Sequence, residues 1–226
     1  MPNFPVGGLL CYTAVMDRHI QKAMTQVYKT NYWKDQESRS GSGSNTTNTQ
    51  FIEKEFPPIV NDLNINSILD IPCGDFAWMP RLLKNLPEHV TYHGADIVEP
   101  MIAINKQYSN DRISFSCLDI TSDELPYADI VFTRDCLNHL PQEKIFQALN
   151  NIKSSGIKYI AVTHFNWRTA TNHDIDNTGR VKWRKLNLRL EPFNFGPPLD
   201  FIVEGSSEPL GKDKMIGIWK VSDLPL

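Results

Sequence analysis

Acidic side chains recur just after short apolar runs in this chain, at Asp70, Asp96, Asp119 and Asp135. Strands of an open α/β sheet present ligands at their carboxyl ends, so a carboxylate there is well placed for binding. Asp96, in Gly94-Ala95-Asp96-Ile97, can accept both hydroxyl protons of a ribose. Asp119, in Cys117-Leu118-Asp119-Ile120, can accept from an adenine amino group while a backbone N–H donates to the ring. The run Asp70-Ile71-Pro72-Cys73-Gly74-Asp75-Phe76 reads as a glycine-containing strand-to-helix turn, where backbone N–H groups approach a polar ligand closely. Taken singly, each acid is more often a turn or helix cap. Four successive runs ending this way form the signal. Two histidines share the pattern: His139, four residues beyond Asp135, and His164, at the end of the next apolar run. Either could act as a general base near neutral pH, against a packing or capping role. Asp135 could orient a histidine, hold an acceptor or take the proton itself. Asp135, Asp174 and Asp176 could offer oxygens to magnesium, but Asp-x-Asp is common in solvated loops, so no metal is assigned.

The runs themselves read as strands: residues 67–71 (SILDI), 90–97, 113–118, 128–133 and 157–163. Helical segments fit between most of them, at 78–86, 99–108 and 142–153, while the interval after Leu118 has room for only a turn. Alternation of this kind predicts a parallel sheet covered on both faces. Residues 201–204 and 215–221 lack an intervening helix and read as an antiparallel pair at the edge. Upstream, Val15, Ile20, Ala23, Met24, Val27 and Tyr28 form a helical stripe. A Ser/Gly-rich stretch at 38–47 is then either a linker or a lid, and a second helix is expected over 48–63. The division that follows is residues 1–50 for helix and lid, and 51–226 for the main domain.

Of 226 residues, 41% are hydrophobic and 22% charged, a globular composition in which a core of ordinary size needs no disulfide or metal. A formal net charge of −3 argues against broad capture of nucleic acid. Four scattered cysteines (Cys11, Cys73, Cys117, Cys136) without C-x-x-C disfavour a disulfide framework or zinc site. No apolar run reaches the length of a membrane span and no signal peptide is evident, so a cytoplasmic protein without membrane association is expected. A G-x-x-x-x-G-K-[ST] loop and a G-x-G-x-x-G fingerprint are both missing, which counts against a P-loop or nicotinamide enzyme. Arg180, Lys182, Arg184, Lys185 and Arg189 form a basic run that reads as a solvated face or, more sharply, a phosphate contact. Of the interleaved aromatics, Phe193 and Phe195 are expected in the core, and Trp183 against a ring-shaped ligand or in the core.

On these residues the chain resembles the class I S-adenosylmethionine-dependent methyltransferases, from about Asn66 to Lys220. Asp70, Pro72, Cys73, Gly74 and Asp75 occupy the place of the family's acidic, glycine-rich first motif, though Pro72 and Phe76 stand where two glycines are common. The resemblance implies a Rossmann-like α/β fold, a mostly parallel seven-stranded sheet with a C-terminal antiparallel hairpin. It further implies S-adenosyl-L-methionine as cofactor, with Asp96 and Ile97 at the ribose, Asp119 and Ile120 at the adenine, and Arg134 nearby. The DIPCGDF-W run, the Ser/Gly stretch, Arg134-Asp135-Cys136-Leu137-Asn138-His139-Leu140 and the W-R-K-L-N-L…P-F-N-F run resemble a bacterial-type subgroup associated with polysaccharide modification. That implies a lid over the cofactor, with Trp33 and Arg39 near its amino-acid end. It also implies O-methylation of a small acceptor, a sugar or nucleotide sugar, with His139, His164 and Asp135 as the candidate catalytic groups. An RNA or protein methyltransferase and a cofactor-binding module without catalysis are the competing readings. Oligomeric state is not legible.

Overall fold

The structure, a computed structural model, describes residues 10–166, 172–176, 181–204 and 213–226, with side chains from residue 19 onward. Arg180 and the Val15 side chain therefore lie outside the described residues. The described chain runs α1 (Leu10–Thr30), α2 (Thr46–Asp62), β1 (Ser67–Asp70), α3 (Met79–Lys84), β2 (Thr91–Asp96), α4 (Glu99–Asn105), β3 (Ile113–Cys117), β4 (Ile130–Thr133), α5 (Gln142–Ser154), β5 (Tyr159–Phe165), β6 (Asp200–Val203) and β7 (Lys214–Lys220). The seven strands form one sheet in the order β3-β2-β1-β4-β5-β7-β6. Strands β1 to β5 are parallel, and β7 runs antiparallel to both β5 and β6. This is the α/β sheet expected of the apolar runs, with a terminal hairpin. The connection from β3 to β4 holds no helix, as its length required.

Period-two alternation distributes the sheet between two cores. Ile68, Ile130 and Phe132 join Phe56, Met79 and Leu82 on the face covered by α2 and α3. Leu69, Val131, Ile160 and Val162 join Ile145, Leu149 and Ile152 of α5 on the other. Full burial of one such side chain is worth roughly 1.5–3 kcal/mol, so both faces are firmly anchored.

Helix α2 begins where Asn45 accepts a hydrogen bond from the Asn48 N–H at 3.1 Å, a side-chain N-cap. It therefore crosses the expected domain boundary between residues 50 and 51. Its Ile52, Phe56, Ile59 and Val60 belong to the core on the α2–α3 face of the sheet. The apolar stripe of α1 has a different fate from a core helix. Ile20, Ala23, Met24, Val27 and Tyr28 line a cavity at the carboxyl rim of the sheet.

Candidate active site

The cavity measures about 690 Å³, within the range of cofactor sites. It runs across the carboxyl ends of the strands from Asp119 past Asp96, Asp70 and Asp135 to Lys214, with α1 and residues 39–44 on its outer side. A smaller cleft of about 220 Å³ lies near the amino ends of β1 and β2, among Ser67, Thr91 and Tyr127, away from these acids.

The turn after β1 is built by short backbone contacts. The Cys73 N–H donates to the Ala95 carbonyl at 2.8 Å, and the Gly74 N–H to Asp96 Oδ2 at 3.1 Å. Gly74 has φ +59°, and an added Cβ would stand 2.5 Å from Ser40 Oγ. Glycine is required here for both conformation and space. Phe76 has the same φ of +59°, which is unfavourable for a bulky side chain. Its ring is held by Tyr92 and Phe115, at centroid distances of 5.5 and 4.9 Å, so aromatic packing offsets the strain that glycine would avoid. Pro72 and Cys73 line the cavity with Gly74.

Asp96 is buried; its Oδ1 accepts from the Val98 N–H at 3.0 Å while Oδ2 takes the Gly74 bond. Burial raises its pKa to about 6, with the backbone donors pulling the other way. Asp70 is also buried, and accepts from the Tyr92 hydroxyl at 2.7 Å. Burial pushes its pKa to about 8, and the charge on Asp96 adds to that shift. Ile97 and Ile120 line the cavity beside Asp96 and Asp119. Asp119 closes a local turn, accepting from the Thr121 N–H at 2.8 Å and hydroxyl at 2.7 Å through Oδ1. The bland reading of a turn acid is thus realised alongside its place on the cavity wall.

Residues 38–45 are fastened across the cavity rather than left as a linker. Asp75 accepts from Ser38 Oγ at 2.9 Å, the Arg39 N–H at 2.7 Å and Ser40 Oγ at 3.3 Å. Asp75 does not line the cavity, which corrects its expected place among the cofactor contacts: three donors from this segment consume its carboxylate. On the far side the Arg134 guanidinium donates to the Gly43 carbonyl at 2.8 Å. The Arg39 guanidinium stacks over Tyr28 of α1, 5.5 Å from the ring centroid, and Trp33 lies against Gly41. If this segment is a lid, cofactor should slow its cleavage by protease. Equal cleavage rates with and without S-adenosylhomocysteine would exclude that role.

Arg134 is buried and pairs with Glu204, and its aliphatic arm brings the cation over Trp78. Asp135, with φ +52°, donates its N–H to Thr163 Oγ1 at 2.7 Å and pairs with Lys214 at 2.6 Å. Burial alone would raise the Asp135 pKa. Lys214 and Arg134 outweigh it and hold the carboxyl well below the usual range, so Asp135 is no proton acceptor at neutral pH.

His139 sits in a single 3₁₀ turn, Leu137–His139, and lines the cavity with its ring 6.3 Å from that of Trp33. Its Nδ1 lies 2.7 Å from the Lys182 carbonyl. A carbonyl can only accept, so Nδ1 carries the proton and Nε2 is the basic nitrogen of the neutral ring. Burial lowers the His139 pKa, against an opposing effect from the Lys182 contact and Asp135. His164 is placed differently. Strand alternation turns it to the face opposite Thr163, where it accepts from the Leu188 N–H at 3.1 Å and meets Trp219 edge-on. Burial takes its pKa down to about 4. It is a satisfied core histidine and leaves the catalytic set.

Asp174 accepts from the Gln142 N–H at 2.7 Å and Asp176 pairs with Lys182, so the three acids weighed for magnesium are not gathered around one point. No cluster of metal-ligating side chains occurs among the described residues. Lys185 pairs with Asp213 at 2.8 Å and buried Arg184 donates to the Leu140 carbonyl, so these cations have protein partners instead of facing the cavity. Phe193 and Phe195 are core residues, whereas Trp183 is half exposed, stands edge-on to Phe165 and lines the cavity. Glu204 and Lys214 carried no local motif and emerge only from the tertiary arrangement, which also brings Trp78 of the DIPCGDF-W run and the α1 stripe to the cavity wall.

Residues 68–155 match the family model described as a methyltransferase domain. Comparison with curated proteins finds no match. Among solved structures, the 1,6-didemethyltoxoflavin-N1-methyltransferase of Burkholderia thailandensis, with bound 1,6-didemethyltoxoflavin and S-adenosylhomocysteine, superimposes with a TM-score of 0.61 at 15% identity, covering 97% of this chain and 92% of that one. The methyltransferase domain of bacterial CtHen1-C gives 0.54 at 14% identity over 76% of this chain and 97% of that one. A SAM-dependent methyltransferase from Methanosarcina mazei gives 0.51 at 16% identity, over 72% and 96%. These likenesses are likenesses of fold. With the match over residues 68–155 and the cavity of strand-end acids, they define the class: the chain carries a methyltransferase domain on a fold shared with S-adenosylmethionine-dependent methyltransferases.

Proposed function

We propose that the enzyme methylates a hydroxyl group on a small ring-shaped polyol of the sugar type, with His139 receiving the hydroxyl proton. The observation that carries this is the tautomer of His139, fixed by the Lys182 carbonyl within the cavity that holds Asp96 and Asp119. The donor set fits the cofactor: Asp96 would accept from the ribose hydroxyls and Asp119 from the adenine amino group. The close turn at Gly74, with Asp70 and Arg39, would take the amino-acid end beneath Trp33, and Arg134 would hold the roof through Gly43. S-adenosylmethionine supplies an electrophilic methyl group and a thioether leaving group.

His139 Nε2 must reach the acceptor hydroxyl at about 2.6–3.2 Å to take its proton as the oxygen attacks. Burial keeps the ring neutral at physiological pH, the state in which it can do so. Asp135, held anionic by Lys214 and Arg134, stabilises the imidazolium that results. Trp33, Trp183 and Phe165 provide apolar walls suited to one face of a sugar ring. The pairing of Lys182 with Asp176 and of Lys185 with Asp213 favours a free sugar over a nucleotide-linked one. Three free thiols among the described residues and no helix there long and apolar enough to cross a membrane fit the cytoplasmic setting proposed for it.

The test is transfer of labelled methyl from S-adenosylmethionine to a panel of hexopyranoses and UDP-hexoses, with RNA and amine acceptors alongside. Label on a sugar oxygen is the expected result. Label only on RNA or on an amine nitrogen, or none on any sugar, would overturn the sugar assignment.

A further inference from the structure

At the rim of the hairpin Glu204 closes β6 beside Lys214, the first residue of β7. Its side chain is buried at 4% exposure, and Oε2 takes both the Arg134 guanidinium and, at 3.2 Å, the Lys214 ammonium. Among the described residues, Oε1 of the same carboxylate is buried without a hydrogen-bond partner. Glu204 also lines the cavity, next to Lys214 and in company with Phe165 and Trp183. A buried carboxylate oxygen left unpaired is costly, and native structures rarely retain one without use. Oε2 is taken by two cations, and a hydroxyl or N–H that meets Oε1 would donate to it.

Resting on the reading of a polyol acceptor, we propose that Glu204 Oε1 accepts a hydrogen bond from a second hydroxyl of that acceptor, other than the one methylated. The pairing that fixes it is continuous with the catalytic end. Lys214 bridges Glu204 to Asp135, and Asp135 acts electrostatically on His139. An oxygen of Glu204 and a basic nitrogen of His139 lining one chamber select a ring carrying two hydroxyls. Glu204 is thus a specificity-determining residue. The aromatic walls alone would accept many flat or apolar rings, and Glu204 is what demands a donor.

The experiment pairs a change in the protein with a change in the substrate. Initial rates with labelled S-adenosylmethionine are measured for each hexopyranose that takes label and for its monodeoxy analogues, in wild type and in Glu204→Gln and Glu204→Asp. For one deoxy position, wild type should prefer the parent sugar by roughly 10–10²-fold in kcat/KM, the usual worth of a hydrogen bond to a charged group. That preference should shrink to within about threefold in Glu204→Gln and recover partly in Glu204→Asp. General damage to the Arg134 pair or to the roof slows parent and analogue alike and leaves their ratio unchanged, so the ratio isolates the proposed contact. Unchanged discrimination in Glu204→Gln overturns the proposal while the sugar reading stands. No label on any sugar with wild type overturns both. Calorimetric titration with S-adenosylhomocysteine supplies the remaining alternative: an affinity loss of more than about tenfold in Glu204→Gln would assign the oxygen to the cofactor's ammonium group instead.

Discussion

Turnover of His139→Ala is expected to fall roughly 10²–10⁴-fold, the usual contribution of a positioned general base. The side chain lines the cavity with its Nδ1 committed to the Lys182 carbonyl, so its other nitrogen is the one presented as base. Affinity for S-adenosylhomocysteine should change little by comparison, because the groups assigned to the cofactor lie toward Asp96. The pH profile supplies a second, independent reading. A base must be neutral to work, so wild-type turnover should drop on acidification as His139 takes a proton. Burial lowers its pKa, so the midpoint of that limb should lie below the 6.5 of an ordinary histidine. His164→Ala is the contrasting variant. It empties a packed position beside Trp219 and should lower the melting temperature, with the acid limb of turnover kept in place. An acid limb that persists unchanged in His139→Ala would remove His139 as the base.

Asp96→Ala should weaken S-adenosylhomocysteine binding by roughly 10–150-fold, corresponding to the loss of charge-assisted hydrogen bonds worth about 1.5–3 kcal/mol. The same carboxylate also organises the turn, through the Gly74 and Val98 N–H groups, so part of the loss is preorganisation. Asp96→Asn separates the two contributions, since its amide oxygen can still accept while the charge is gone. Wild type carries its own control. Because burial raises the Asp96 pKa to about 6, the free protein protonates this group at and below that pH. A protonated carboxyl is a poorer acceptor, so cofactor affinity should decline as pH falls through about 6 and level off above it. Isothermal titration across that range measures it. An affinity that is flat with pH and unaltered in Asp96→Ala would take Asp96 out of the binding site.

Much of this architecture was already legible along the chain. The apolar runs at 67–71, 90–97, 113–118, 128–133 and 157–163 became β1 to β5 within a residue or two, because buried parallel strands must be nearly continuous in apolar side chains. The strand-end acids follow from the same rule, since ligands of open α/β sheets gather at one rim whatever their chemistry. For that reason Asp70, Asp96 and Asp119 all reach one cavity. What neighbours a residue across the rim was not legible. His139 and His164 looked alike, each just beyond an apolar run, and only the alternation of β5 sends His164 into the core. Asp75 belonged to the first motif by position, yet three donors from residues 38–40 consume it. Glu204 stood in no motif and sits 70 residues from Arg134; the β5-β7-β6 order brings them together. Local sequence determines which backbone states and which faces are affordable within a few residues. Pairing across the sheet depends on strand order and register, which are settled by the burial of whole faces, and no single segment contains that information.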